Sequence, residues 1–400
     1  MEKSVAVLEI SSSSVKLTIG YELNGQPQIL YTLTKKIPHI VDNGKFLDVP
    51  TLQSVLKDLN NISDVSARLN IKIGEVVLIL PPFGLDIFQI QQVTTVVGED
   101  SRVSNLDIRN IYNLIRKSKM PGSNELIDII PDRFILDEGT SYLSAPIGKS
   151  SNTLTIQAKV HTLPGHIHKN YEGIVRSAGI NIKRVFIAPF AASELIATQK
   201  EYPSEYLLVD IGSHITTVSV VGGKQLLSSR HFAWGSHNIT SKIATKFEIS
   251  EVDAERIKLT YGLDKRHTDF PVTICVNQDA NGNETKHYVT ELVEIVKNEL
   301  DSFTNQLNTC ISTLLQGYEP SARTLPMILV GGGSLLNGLV SYIEPKVQSE
   351  YVKIFNPNTI GARHPSFVNS LGAIVANKKY QTVFDESHPK VGIVSREETK

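Results

Sequence analysis

The sequence predicts an α/β fold built as two similar lobes facing a cleft, and three observations predict it. A strand–turn–strand–strand pattern opens the chain at SVAVLEISSSSVKLTIGYEL and returns near residue 206 as LLVDIGSHITTVSVVGGKQLL. Each copy is followed by alternating helix-like and strand-like runs, as in layered α/β architecture. The copies stand about 200 residues apart, too far for a solenoid repeat but suited to duplicated lobes. The 400 residues also exceed the roughly 250–300 at which a single core stops growing.

The elements follow in order. SVAVLEI and VKLTIGYEL are apolar strands around a run of four serines, and NGQPQILYTLT gives an Asn-Gly turn and an alternating third strand. A short run follows Asn43-Gly44, then TLQSVLKDLNNISDVSARLN (51–70) carries helical spacing and EVVLIL (75–80) a buried strand closed by Pro81-Pro82. From Gly84 to Pro164 the texture changes. SNLDIRNIYNLIRKSKM predicts a helix capped by Ser104 or Asn105 and closed by Pro121-Gly122, and IDIIPDRFILDE and TLTIQAKVHTLP predict strands. Next come a helix stopped by Gly179, the strand KRVFIAP and the helix AASELIATQK. After the second module, HNITSKIATKF and EVDAERIKLTYG predict helices, ANGN a hairpin within 271–290, and residues 290–316 a long amphipathic helix. MILVGGGSLLNGL reads as strand, glycine loop and helix.

Composition sets bounds. A net charge of −1 gives no basic field for nucleic acid. Two cysteines make no disulfide framework, which favours a reducing, cytoplasmic setting. Glu9 interrupts the first apolar run before it could serve as a signal segment, and no stretch approaches the roughly 20 apolar residues of a membrane span. The polar tail 381–400 mixes both signs and lacks a basic amphipathic face.

Chemistry concentrates at three turns. Glu9 ends the first strand before Ser11, Ser12 and Ser13, and Asp210 ends the corresponding strand before Gly212, Ser213 and His214. Small or polar turns present backbone N–H groups to phosphate, and two acids can hold Mg²⁺ through water. Gly331, Gly332 and Gly333 let a flat ligand press on backbone, and a following helix N-terminus would favour negative charge. The triplet matches neither a P-loop nor G-x-G-x-x-G, since Leu336 takes the last position. Glu255 and Lys258 lie one helical turn apart, and an ordinary surface charge pair is the simpler reading of them alone. His161, His166 and His168 are expected on a loop, solvated rather than metal-bound, and Trp234 is expected to pack beneath the second lobe.

The acid-tipped turns, the glycine triplet, IAPFAASEL (187–195) and HPSFVNSLGA (364–373) resemble the phosphate, adenosine and connecting segments of the actin-like ATPase superfamily. Within it, IDIIPDRFILDE, SAPIGKSSNTLTIQAKVHTLP and AERIKLTYG make the chain similar to the FtsA family of bacterial cell-division proteins over about residues 4–378. The resemblance implies duplicated ribonuclease-H-like lobes with a small α+β subdomain inserted in the first. It assigns 1–84 with 165–190 and 356–380 to the first core, 85–164 to the insert, 191–248 with 325–355 to the second core and 249–324 to an outer subdomain. It implies ATP and Mg²⁺ as cofactors, with Glu9 and Asp210 toward the metal, the three turns on phosphate and adenosine, and Glu255 and Lys258 beside the nucleoside. It also implies self-association in filaments, recognition of the FtsZ C-terminal peptide, contacts of the insert with other division proteins, and work at the division septum on the inner membrane face. The family's membrane helix is not visible after Lys379, so membrane contact is expected to be indirect or through a missing segment.

Several positions depart from the family. Glu9 replaces the usual aspartate, the first turn has no glycine and carries Ser14 where lysine is usual, His214 stands at a glycine and Thr217 at a second acid. A side chain where backbone must approach closely, and a missing acid to polarise water, predict nucleotide binding with feeble turnover. Two alternatives share the clamp: a non-polymerising scaffold like the actin-like proteins of pilus assembly, and a kinase, which would need a catalytic acid near the second turn.

Overall fold

The computed structural model describes residues 3–64, 69–97, 99–120, 123–263, 272–278, 284–316, 318 and 324–380. Pro121-Gly122, the ANGN turn and the tail 381–400 lie outside the described residues.

The first module is a meander of β1 (Val5–Ile10), β2 (Ser14–Leu23) and β3 (Gln26–Lys36), followed by the two-residue strands β4 (Val41–Asp42) and β5 (Lys45–Phe46). Helix α1 (Val49–Asn60) starts at Asp48, whose carboxylate accepts from the Thr51 N–H at 3.1 Å. It ends ten residues before the predicted boundary. Asn60 and Asn61 are poor helix formers, and the Asn60 side chain instead donates to the Ala178 carbonyl at 3.2 Å. The chain then turns into β6 (Asn61–Asp64) and β7 (Leu69–Lys72). β8 (Glu75–Leu80) is buried along nearly its whole length and pairs in parallel with β1, as a continuous apolar run should.

Between β8 and its parallel neighbour stands a separate layer. It comprises β9 (Asp86–Thr95), α2 (Asn105–Lys117), β10 (Asn124–Leu136), β11 (Ser141–Tyr142) and β12 (Thr153–Pro164). The strands form an antiparallel sheet in the order β11-β10-β12-β9, and α2 packs on it through Ile108, Ile111, Tyr112 and Ile115. Ser104 caps α2 and donates its N–H to Asp107 at 2.8 Å. Helix α3 (Gly165–Ser177), β13 (Asn181–Ile187) and α4 (Ala188–Ile196) return the chain to the first core. The histidine expectation is corrected here. His161 is buried within β12 against the Phe190 ring at 5.2 Å, and His166 and His168 lie on α3. His161 falls on the face of β12 opposite Ile156, Ala158 and Val160, and Phe190 of α4 covers it there, so it is not a solvated loop residue.

The second module repeats the first: β14 (Tyr206–Ile211), β15 (Thr216–Gly222) and β16 (Gln225–Phe232). Helices α5 (Ser236–Phe247) and α6 (Glu251–Tyr261), strands β17 (Thr273–Gln278) and β18 (Glu284–Tyr288), and the long α7 (Val289–Leu314) cover one face. β19 (Met327–Val330), the short α8 (Leu339–Ile343), β20 (Val352–Ile354) and α9 (Val368–Lys379) complete the fold.

The two core sheets have one topology. Their orders are β3-β2-β1-β8-β13 and β16-β15-β14-β19-β20, each with three antiparallel strands followed by two parallel ones. Helices α4 and α9 cross between them. A Cβ at Gly372 of α9 would fall 1.8 Å from the Ala191 carbonyl oxygen of α4, so only glycine permits this approach. The crossing joins the lobes and holds their strand ends opposite one another. Trp234 is buried in the second core, with its ring 4.4 Å from that of Phe303.

Candidate functional site: the cleft between the two turns

The serine run is a tight turn. Ser11 donates its N–H to the Ser14 carbonyl at 2.9 Å, and its hydroxyl lies 2.9 Å from that of Ser14. The carbonyls of Ser12 and Ser13 accept from Ile40 at 2.8 Å and Ile37 at 3.0 Å, so the loop 37–40 braces the turn from outside. The second turn is built alike. Gly212 donates to the Ile215 carbonyl at 3.0 Å, while Ser236 and His237 at the start of α5 donate to Gly212 and Ser213 at 3.0 and 2.8 Å. Gly235 makes that brace possible, because a Cβ there would lie 2.2 Å from the Ser213 carbonyl oxygen.

The strand ends before the turns carry the acids, and Asn369 of α9 bridges them. Its side-chain amide donates to Glu9 Oε1 at 3.0 Å and to Asp210 Oδ2 at 3.1 Å. Ser370 donates to Glu9 Oε2 at 3.3 Å. Lys16 faces Glu9 across β1 and β2, its Nζ 3.3 Å from Glu9 Oε2 and donating to the Ser366 carbonyl at 2.7 Å. The lysine absent at position 14 is therefore supplied two residues on, by strand alternation. Burial pushes the Asp210 carboxyl above the usual carboxylate range, the Asn369 hydrogen bond opposes this, and the Glu9 charge adds to it.

The glycine triplet divides in two. Gly331, at φ +83°, would place a Cβ 2.3 Å from Asp210 Oδ1 and 2.5 Å from the Ile211 carbonyl oxygen, and Gly333 would meet Ile211 Cγ2 at 2.5 Å. Both are glycine because they press on the end of β14. Gly332 alone is exposed, with His364 Cε1 at 3.7 Å as the nearest atom to an added Cβ. No α-helix opens directly after the triplet, contrary to the sequence expectation. Residues Gly332–Leu335 form a 3₁₀ turn, and α8 starts only at Leu339.

Glu255 and Lys258 are not an ordinary surface pair. Lys258 Nζ lies 2.7 Å from Glu255 Oε2 with its side chain 2% exposed, and donates to the Ser236 carbonyl at 3.0 Å and to Thr240 at 2.9 Å. Burial lowers the Lys258 pKa against the pull of Glu255. Both residues line a cavity of about 20 Å³ with Gly332, Gly333 and Trp234, whose indole nitrogen is buried without a hydrogen-bond partner. Such a space admits about one water.

His214 stands on the second turn between two other rings. Its centroid is 4.3 Å from that of His39 with planes 9° apart, and 4.6 Å from that of His237. Burial, then the neighbouring His237 and His39, hold its pKa down at about 4, against Asp42.

The structure thus gathers Glu9, Ser11, Ser12, Ser13, Asp210, Gly212, Ser213 and His214 at facing turns, and Glu255, Lys258, Gly332 and Gly333 around one cavity. Residue-by-residue reading missed Lys16, Asn369, Ser370, Gly235, His39 and His237. A hairpin count from Glu9 would have found Lys16, whereas the others are joined to the turns only by tertiary contact. A magnesium–nucleotide pair suits this chemistry: two oxygen acids share one amide, and the Asn369 carbonyl oxygen is buried without a partner beside them.

Comparison with known proteins agrees with this architecture. The family model described as Cell division protein FtsA matches residues 207–372. Cell division protein FtsA of Streptococcus pneumoniae is 25% identical over 368 residues, which is 90% of this chain and 77% of that protein. Its counterpart in Bacillus subtilis is 28% identical over 294 residues, covering 70% of this chain and 63% of that one. Among solved structures, a PilM-PilN type IV pilus biogenesis complex superposes with a TM-score of 0.61 at 20% identity, covering 94% of this chain and 99% of that chain. MreB5 of Spiroplasma citri bound to AMPPNP gives 0.56 at 13% identity, covering 96% and 99%. The chain has the actin-like fold and is similar over most of its length to cell division protein FtsA.

Proposed function

We propose that the protein is a cell-division adaptor that binds ATP with Mg²⁺ in the interlobe cleft, assembles into filaments and links FtsZ polymers to the division site. The observation that carries the nucleotide reading is the Asn369 amide shared between Glu9 and Asp210, with Lys16 beside them. Glu9 and Asp210 would hold the cation through water. Ser11, Ser12, Ser13, Gly212, Ser213 and His214 would meet the phosphates. Exposed Gly332 would take the base, with Glu255 and Lys258 at the nucleoside and Gly331 and Gly333 keeping the loop against β14. The metal would supply charge neutralisation at the phosphates. Turnover would be weak. Thr217, opposite Asp210 in the β14–β15 pair, is a hydroxyl rather than a carboxylate and cannot serve as a general base at neutral pH.

The assignment rests on a chain-wide likeness to FtsA proteins, which also motivates the FtsZ peptide as partner and the division septum as location. The layer of β9 to β12 with α2 would be the insert that meets other division proteins, with subdomain limits as set out from the sequence. Membrane contact would be indirect or through a further segment, and among the described residues no helix is long and apolar enough to cross a membrane.

Calorimetric titration with Mg-ATP tests the cleft: micromolar binding is expected of the wild type and at least tenfold weaker binding of Asp210→Ala, whereas equal affinities would remove Asp210 from the site. Pelleting with nucleotide and binding of an FtsZ tail peptide test the adaptor. A second reading, a non-polymerising scaffold, is favoured by His214 in the second turn and by likeness in fold to PilM. Nucleotide binding with neither pelleting nor peptide binding would select it.

A further inference from the structure

Three imidazoles form a column across the cleft. His39 belongs to the loop that braces the first turn, His214 to the second turn itself, and His237 to the helix that braces the second turn. The His39 and His214 rings stack at 4.3 Å, the His237 ring lies tilted by 34° at 4.6 Å from His214, and His39 is held at φ +41°, where residues other than glycine are uncommon. The column is built from both lobes.

We propose that this column is a proton-linked receptor for polyphosphate, its imidazoles taking up protons from solvent as the phosphate chain of a nucleotide enters. The inference rests on the nucleotide reading above and names the source of the counter-charge. The cleft's buried lysines are already committed: Lys16 to Glu9 and the Ser366 carbonyl, Lys258 to Glu255, Ser236 and Thr240. Glu9 and Asp210 add negative charge. Lys36, at the exposed end of β3, acts on both Glu255 and His364 and is a further cation at the edge of the cleft; beside it, the histidines are groups that can become cationic in place.

The column resists charging by itself. Two imidazolium rings in van der Waals contact repel, and burial disfavours the charge on His214. The groups facing His214 are His39 from the loop after β3, Asp42 from β4 and His237 from α5, with Glu251 of α6 3.5 Å from His237 Nε2. Asp42 alone among those acting on His214 favours its charged form, and its effect is outweighed. The His214 Nδ1 is buried with no hydrogen-bond partner. An anion lying against the column would reverse the balance: a proton moves from buffer to a ring nitrogen, which then donates to a phosphate oxygen. Because the free protein holds His214 neutral above about pH 4, the bound state carries more protons, and affinity falls as pH rises.

The test is calorimetric titration of the full chain with Mg-ATP at pH 6, 7 and 8, each in two buffers of different ionisation enthalpy. Magnesium is kept in excess so that the nucleotide's own phosphates stay ionised. Uptake of about one proton at pH 6, declining toward none at pH 8, and affinity falling about tenfold between them, are expected. In His214→Gly the uptake should vanish, and the affinity at pH 6 should drop to the wild-type value at pH 8. His39→Ala, at an exposed loop position, should reduce the uptake and serves if the first variant does not fold. Binding without proton uptake, or undiminished uptake in the variants, overturns the receptor and leaves a column that only packs the lobes together. Absence of binding at every pH removes the nucleotide reading, and this inference with it.

Discussion

The two hairpins at the cleft share one hydrogen-bonding plan and differ in chemistry. In each, the residue two past the acid donates its N–H to a carbonyl three residues on, and neighbouring elements cap two of the turn's carbonyls. In each, the acid pairs with the residue seven positions later, Glu9 with Lys16 and Asp210 with Thr217. The first pair is a buried ion pair, and the second sets a carboxylate beside a hydroxyl. Duplicated backbone therefore does not duplicate electrostatics. The first acid has its own counter-ion, whereas the second shares an amide with the first and is driven toward its protonated form by burial and by Glu9.

The largest effect should come from breaking the first pair. Lys16→Met leaves Glu9 buried with only Asn369 and Ser370 as donors, and should destabilise by about 3 kcal/mol in urea denaturation. Thr217→Val, in the matching place, should change stability by less than about 0.5 kcal/mol, since the Thr217 side chain is only partly buried. Equal effects would mean the two pairs do the same work.

The glycine brace belongs to the second hairpin. Gly331→Ala forces a Cβ onto Asp210 and the Ile211 carbonyl at positive φ, and should cost about 2 kcal/mol. Gly332→Ala, beside it, should leave stability within about 0.5 kcal/mol and weaken Mg-ATP binding instead. Thermal unfolding and calorimetry on the pair separate packing from ligand contact.

Legibility in the sequence follows how local each feature is. The doubled module was readable because alternation, turn residues and run length are local, and the parallel β8 announced itself as an unbroken apolar run. The length of α1 was misread because the apolar spacing continues past Asn60, while the helix ends where asparagine side chains compete for backbone partners. Gly331 and Gly333 also serve a strand end, which a run of three glycines does not announce. Asn369 carries no local sign of its role within HPSFVNSLGA, for its partners lie 360 and 159 residues away. The histidine column escaped entirely, since its rings come from three separated segments and only the fold aligns them.

The smallest effect tests the asymmetry most directly. Asp210 has a folded-state pKa above its unfolded value, so in the interval between them the native protein binds more protons than the unfolded chain. Stability should therefore fall as pH rises through that interval and stay lower above it, the reverse of a salt-bridged carboxylate. Asp210→Asn keeps the shape and removes the charge. It should be more stable than wild type at neutral pH, with the gain shrinking on acidification as the wild-type carboxyl protonates. Thr217→Lys should act the same way by another route, giving Asp210 the counter-ion that Lys16 gives Glu9 and lowering its pKa in a carboxyl NMR titration. If Asp210→Asn is less stable than wild type at neutral pH, the second acid is satisfied as fully as the first, and the two hairpins are alike in charge as well as in plan.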